Sequence, residues 1–353
     1  MGVLTRSDRI IVGLSAAFTV VAAILFYGKT NETATFIVSG LALAALAALV
    51  GRSVEQVADR LGSGATGVVQ SALGNLPELF VCIFALRQGL TKVVEAAIIG
   101  SILGNALLVL GLAFMVGGLK NGRQPFDGAR ARTHVALMLL ATAAMLIPSL
   151  ASYVHSSAAQ HEHALSDIAS VTLLIVFALS LPASIRRGEG EAGAAEHAEA
   201  TWPVWLAITS LAIAGVLAAL VSDWFVDALT PALHSLHITQ AFAGLVIVAI
   251  AGNAVENVVG IQLAARNKAD TAVSVILNSP IQIALVLAPV LVLLSPVLGG
   301  ATFTLVFPPL LVTTVVASIL AVSFVIMDGE SDWLEGSALV GLYVVVAASF
   351  WWG

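Results

Sequence analysis

The chain of 353 residues predicts an all-α polytopic membrane protein, with eleven transmembrane helices arranged as two inverted five-helix repeats plus an extra N-terminal helix. Three observations carry this. Hydrophobic residues make up 59% of the chain, charged residues only 10%, and the mean hydropathy is +1.01; soluble domains carry about 25% charged residues. The apolar runs are continuous and reach the roughly 20 residues that cross a bilayer as a helix, without the alternation of barrel strands. One pattern occurs twice, as Gly74-Asn75-Leu76-Pro77-Glu78 and as Gly252-Asn253-Ala254-Val255-Glu256.

From the N-terminus the expected spans are 9–28, 33–50, 64–87, 92–119, 131–151, 165–186, 202–222, 239–265, 270–295, 301–327 and 333–352. The first is too long for the apolar core of a signal peptide and shows no small-residue cleavage site, so residues 1–30 are the extra helix. Spans two to six form the first repeat, 31–187. The third holds the first motif; the fourth holds Ser101 and Asn105, with Glu95 near its start, where the helix dipole favours an acid. Residues 188–200 are a polar linker carrying Glu189, Glu191, Glu196 and Glu199 among Gly and Ala, a composition that packs poorly. Residues 201–353 form the second repeat. Its span 239–265 holds the second motif and 270–295 holds Ser279, Pro280 and Gln282. Trp333, Trp351 and Trp352 are interfacial anchors at the ends of the last span.

Orientation follows from the basic residues in the connections. With the N-terminus inside, the inside segments hold Arg6, Arg9, Arg52, Arg60, Lys120, Arg123, Arg130, Arg132, Arg186, Arg187, Arg266 and Lys268, which is 12 of the 15; Lys29, Arg87 and Lys92 fall outside. The expected location is the plasma (inner) membrane of a prokaryote, N-terminus cytoplasmic and C-terminus outside, with the lipid bilayer as partner. Glu55, Asp59, Asp223 and Asp227 are expected at solvated helix ends, and His155, His161 and His163 in an outside loop. Asp328, Glu330, Asp332 and Glu335 lack the glycine and spacing of a calcium-binding hand and join the last two spans.

Several functions are excluded. The net charge is −6 and no basic patch suits nucleic acid. The single cysteine, Cys82, rules out an internal disulfide. No metalloprotease helix motif or activated nucleophile occurs, so the chain reads as no enzyme and needs no cofactor.

The repeated motif suggests what remains. Glu78 and Glu256 are 178 positions apart, as are Asn75 and Asn253, and Gly100–Asn105 corresponds to Leu277–Gln282. Five spans per copy is an odd number, so the second copy enters from the opposite side, the inverted arrangement of secondary transporters. A carboxylate at mid-membrane costs about 2.5–3.5 kcal/mol on insertion scales and is functional by default. Asn75, Asn253, Ser101, Asn105, Ser279 and Gln282 would add neutral oxygens, although polar side chains also join membrane helices without further role. Pro77 and Pro280 are expected to free backbone carbonyls. Such a hard, all-oxygen set suits calcium, with magnesium or manganese less well matched. Two carboxylates balance one divalent cation. Bare, they repel each other, so protons are the natural replacement and exchange of the two is antiport. A central two-acid site between inverted repeats fits alternating access rather than a channel.

At these residues the chain resembles the calcium/cation–proton exchanger (CAX) family of the cation/calcium exchanger superfamily, over most of residues 40–350. The family's first motif, Gly-Asn-Ala-Val-Glu-Leu, stands here as Gly74 to Leu79 with Leu76 and Pro77 in the middle; the proline variant is also similar to sodium/calcium exchangers, which leaves sodium coupling open. Its second, Gly-Asn-Ala-Ala-Glu-His, stands here with Asn257 in place of the histidine. Ser101 and Asn105, and Ser279 and Gln282, fit its further motifs, with Asn278 and Pro280 as departures. The resemblance implies a calcium/proton antiporter with Glu78, Glu256, Asn75, Asn253, Ser101, Asn105, Ser279 and Gln282 about the cation, and Glu55 and Asp223 as acids ahead of each motif.

Overall fold

A computed structural model describes residues 4–61, 73–191 and 202–352. The helices are α1 (Arg6–Gly28), α2 (Glu32–Leu61), α3 (Leu76–Arg87), α4 (Thr91–Asn121), α5 (Gly128–Tyr153), α6 (Glu162–Glu191), α7 (Val204–Leu236), α8 (Gln240–Gly252), α9 (Ala254–Ala265), α10 (Ala269–Val297), α11 (Pro309–Val325) and α12 (Trp333–Trp351). Among the described residues eight helices are long and apolar enough to cross a membrane, nine if the bent pair α8 and α9 is one span, and α11 is a shorter apolar helix. The expected third span lies partly outside the described residues, as does most of the linker, into which α6 continues as far as Glu191.

Several expectations are corrected. α2 runs on past residue 50 to Leu61 and α7 past residue 222 to Leu236. Glu55, Asp223 and Asp227 therefore sit within helices rather than at their ends. Packing extends these helices beyond their apolar runs: Val54 belongs to a buried cluster with Trp202 and Ala207, and Phe225 stacks on Phe36 at 4.7 Å. Residues 301–308 are irregular with a bend at Leu305, not helical, and Pro308 and Pro309 confine the helix start to Pro309. Hydroxyls satisfy this backbone, as apolar surroundings require: the N–H groups of Phe303, Leu305 and Phe307 donate to Ser295, Ser166 and Ser149 at 2.8, 3.1 and 2.8 Å. The strands, expected to be absent, reduce among the described residues to one short antiparallel pair, Gln124–Pro125 with Glu330–Ser331.

The chain divides into two compact units. The first comprises Met1–Phe84 and Ile175–His237. In it α1 exposes Ile10, Leu14, Val20, Val21 and Ile24, as a lipid-facing helix does. Asp8 at its start is buried; it accepts from Arg52 Nε and Trp202 Nε1, both at 2.9 Å, and Gln56 accepts from the Trp202 backbone N–H. These bonds tie the extra helix to α2 and to the entrance of α7.

The second unit comprises Ala85–Leu174 and Ile238–Gly353. Its centre is α4 and α10, of whose apolar windows 78% and 67% are buried, against 17% for α1. Close approach depends on glycine: a Cβ on Gly100 would overlap the Leu245 carbonyl, and one on Gly244 the Val93 carbonyl. Connections assigned to one side of the membrane meet here. Besides the strand pair, the Asp127 N–H donates to Asp270 at 2.8 Å and Gln124 to Asn267 at 2.8 Å. Asp127 also caps α5, and the N–H groups of Arg130 and Ala129 hold its carboxyl below the usual range. Connections assigned to the other side meet likewise: the Ala301 N–H donates to Leu86 O and the Thr304 hydroxyl to Glu162.

Candidate cation site

Both motifs start a helix after a break. Gly74 and Asn75 form a turn and α3 begins at Leu76, which places Glu78 third in the helix. Asn253 stands between α8 and α9 with φ −103° and ψ 16°, the sparsely populated bridge region common at active sites, and Glu256 is third in α9. The axes of Gln240–Gly252 and Asn257–Ala265 differ by 63°. Each acid thus occupies the first turn, where the helix dipole favours an anion. A three-residue spacing would place asparagine and acid on one face of a single helix, but the asparagines sit at the breaks, just before the helices that carry the acids.

Pro77 is another correction. As the second residue of α3 it lies where N–H groups have no intrahelical partner, so it removes no bond. Pro280 lies well inside α10 and does remove one, from the Ile276 carbonyl. Directly after it α10 takes a π-helical turn, Ile283–Leu287; α4 does so at Gly104–Val109, and α8 at Ala243–Val248. The first two end at Leu287 and Val109, 178 positions apart, which is the spacing of the doubled motif. Such turns recur at functional sites. Nothing in the sequence reading marked them.

In the second unit four of the expected neutral ligands form one network. Asn253 Nδ2 donates to Ser101 Oγ at 3.1 Å and to the Ala249 carbonyl at 3.0 Å. Ser279 Oγ donates to Asn253 Oδ1 at 3.3 Å, and Asn105 Nδ2 donates to Ser279 Oγ at 3.2 Å and to the Ser101 carbonyl at 3.0 Å. Asn253 makes no side-chain cap for α9; its amide is committed to α4 and α10 instead. All four are buried, as is Gln282 one turn after Ser279. Asn75 and Glu78 are buried too, in the first unit, Glu78 being 2% exposed. The Glu256 side chain lies outside the described residues.

Beside the network is a cavity of about 10 Å³, room for a single water-sized sphere, lined by Ser101, Asn105, Asn253 and Asn257 with apolar Leu108 and Ile250. Asn105 Oδ1 is buried here with no hydrogen-bond partner among the described residues, and so is Asn257 Oδ1. An orphaned buried acceptor costs about 1–3 kcal/mol. The arrangement offers oxygen to a cation. Among the described residues no three His, Cys, Asp or Glu side chains cluster for a metal.

The other candidates fall elsewhere. Glu55 is exposed and pairs with Arg52 at 2.6 Å, Asp223 is half-buried on α7, and Asp227 is exposed. The Asp59 side chain lies outside the described residues. Glu95 is fifth in α4, beyond the turn where the dipole acts, which corrects that account. His155, His161 and His163 are exposed. Asp332 caps α12 in a reciprocal box with Glu335.

The profile of the sodium/calcium exchanger protein family matches residues 31–186 and 206–352. The chain belongs to that family. Among its relatives, the Ca(2+)/H(+) antiporter of Synechocystis is 34% identical over 345 residues, covering 91% of each chain. The Ca(2+)/H(+) antiporter ChaA of Bacillus subtilis is 33% identical over 98% of this chain and 99% of its own. The solved structure of native YfkE superposes with a TM-score of 0.83 at 32% identity, over 97% of this chain and all of that one. The protein is therefore an all-helical, multi-pass integral membrane member of an exchanger family.

Proposed function

We propose that the protein is a secondary antiporter that moves calcium out of the cytoplasm in exchange for protons, by alternating access. One observation carries the geometry of this reading: a buried acid, Glu78, in the first turn after a break marked by Asn75, repeated in the backbone at Asn253 and Glu256. The relatives' chemistry supports calcium and protons as the exchanged pair.

Glu78 and Glu256 supply the charge that balances a divalent cation, and Asn75, Asn253, Ser101, Asn105, Ser279 and Gln282 supply neutral oxygens in place of its water. Protonation of the pair releases the cation, because both compete for the same oxygens. The empty carrier returns protonated, since two bare carboxylates in a low dielectric repel.

Eleven spans in two inverted repeats underlie this cycle, with repeats 31–187 and 201–353 and linker 188–200. The matching positions of the breaks, the acids and two π-helical turns support the repeat, as do the two stretches of the family match. The N-terminus is cytoplasmic and the C-terminus outside, in the plasma membrane, on the 12-to-3 distribution of basic residues.

Sodium coupling is the alternative that the Pro77 variant of the motif suggests, and the calcium/proton antiporters among the relatives favour protons over it. Proteoliposomes with imposed gradients test the reading. Calcium uptake should follow a pH gradient, stop with a protonophore and ignore a sodium gradient. Uptake driven by sodium alone would overturn it.

A further inference from the structure

We infer that Asn257 is a further oxygen ligand of the transported cation and sets its selectivity, an inference that rests on the cation site proposed above. Asn257 lines the water-sized cavity, and its Oδ1 is buried without a partner among the described residues; the Asn105 Oδ1 in the same cavity shares that condition. Asn105 is 1% exposed, so bulk water does not satisfy it. Two acceptors left open toward one small space call for a guest that attracts oxygen. The space admits one sphere of water size, so a cation enters it stripped of its shell. An amide placed only for packing would turn its oxygen toward a donor.

The repeat sharpens this. The residue 178 positions before Asn257 is Leu79, so the first half has an apolar side chain where the second has an amide. The backbone N–H of Asn257 donates to the Asn253 carbonyl at 3.1 Å, which keeps it one turn from an asparagine already in the network. Asn257 therefore adds a neutral oxygen to one side only. Calcium gathers six to eight oxygens, whereas magnesium keeps several of its own waters. Loss of this oxygen should penalise calcium more than magnesium.

The test measures uptake into proteoliposomes under a fixed pH gradient and equilibrium binding of radioactive calcium to purified protein, for the wild type, Asn257→Ala, Asn257→Leu and Asn257→Gln. In the Ala and Leu variants the calcium KM and Kd should rise about tenfold, as loss of one good ligand predicts, with the maximal rate retained and the calcium-over-magnesium preference reduced. Asn257→Gln should recover part of the affinity. Unchanged calcium Kd in both the Ala and Leu variants would overturn the inference, leaving a resident water only. An equal weakening of every ion would overturn it in favour of packing. A wild type that binds calcium without pH-driven uptake would sink the antiport reading alone, and the binding series would still decide the role of Asn257.

Discussion

The helix start at Leu76 and the one at Ala254 solve the same problem with different residues. Each follows a glycine and an asparagine, and each places its acid third in the helix. Between asparagine and acid, however, one has Leu-Pro and the other Ala-Val, and after the acid one has Leu79 and the other Asn257. What the two share is the geometry an acid needs at the positive end of a helix. What differs is how the helix is started and how polar the next side chain is. On the function proposed above, the asparagine and the acid are the functional pair, and the proline is one of two ways to open a helix.

The largest expected effect tests the shared part. Glu78→Gln and Glu256→Gln should each reduce exchange to background while the purified protein remains folded and helical. Either variant with normal calcium flux would break the equivalence of the two halves. The pH dependence has a definite sign: calcium affinity falls as pH falls, because a protonated carboxyl does not bind the cation. A Gln variant that still binds calcium should show a shallower dependence, measured as Kd between neutral and acidic pH.

An intermediate effect is expected from the asparagines. Asn253→Ala removes the amide that joins α4 and α10 and should raise the calcium KM several-fold to tenfold, each lost bond contributing about 0.5–1.5 kcal/mol. Asn105→Ala should act alike with transport retained. Asn75→Ala, the partner in the other half, shows whether the first helix start depends on its amide to the same degree; kinetics of uptake decide.

Smaller still is the effect of exchanging what differs. Pro77→Val places in the first half the residue type found in the second. It should leave the calcium KM within about twofold and create no sodium dependence, because position two of a helix has no hydrogen bond to lose. A large defect would show that the proline shapes the site after all. The smallest effect is predicted for the linker: deleting Glu189–Glu199 with α6 and α7 still joined should leave pH-driven exchange intact. Loss of exchange in a stable, folded deletion would assign the linker a regulatory part.

Much of this was legible in the chain, and the parts that were not have a common cause. The many-helix membrane character, the doubled motif and the family follow from apolar runs and residue spacing, which are local properties. The end of α7 was missed because Asp223 and Asp227 look like a boundary in sequence, yet packing such as Phe225 on Phe36 carries the helix past them. The irregular run 301–308 reads as the start of a helix in sequence because it is apolar. It is held instead by Ser295 just before it and by Ser149 and Ser166 from two distant segments, and no window of sequence contains them together.

By itself the sequence determined a many-helix membrane protein with a repeated acid in a hydrophobic setting. Bilayer thickness and the cost of burying charge act on any chain regardless of its packing. Only the tertiary structure decided that Asn253 serves α4 and α10 rather than capping its own helix, that one π-helical turn contains Asn105 and another follows Gln282, and that Asn257 lines the same small cavity as Asn105. Hydrogen bonds between Ser101, Asn253 and Ser279 join residues as many as 152 positions apart. Their geometry is set by how closely α4, α8 and α10 approach, which Gly100 and Gly244 permit but do not by themselves specify.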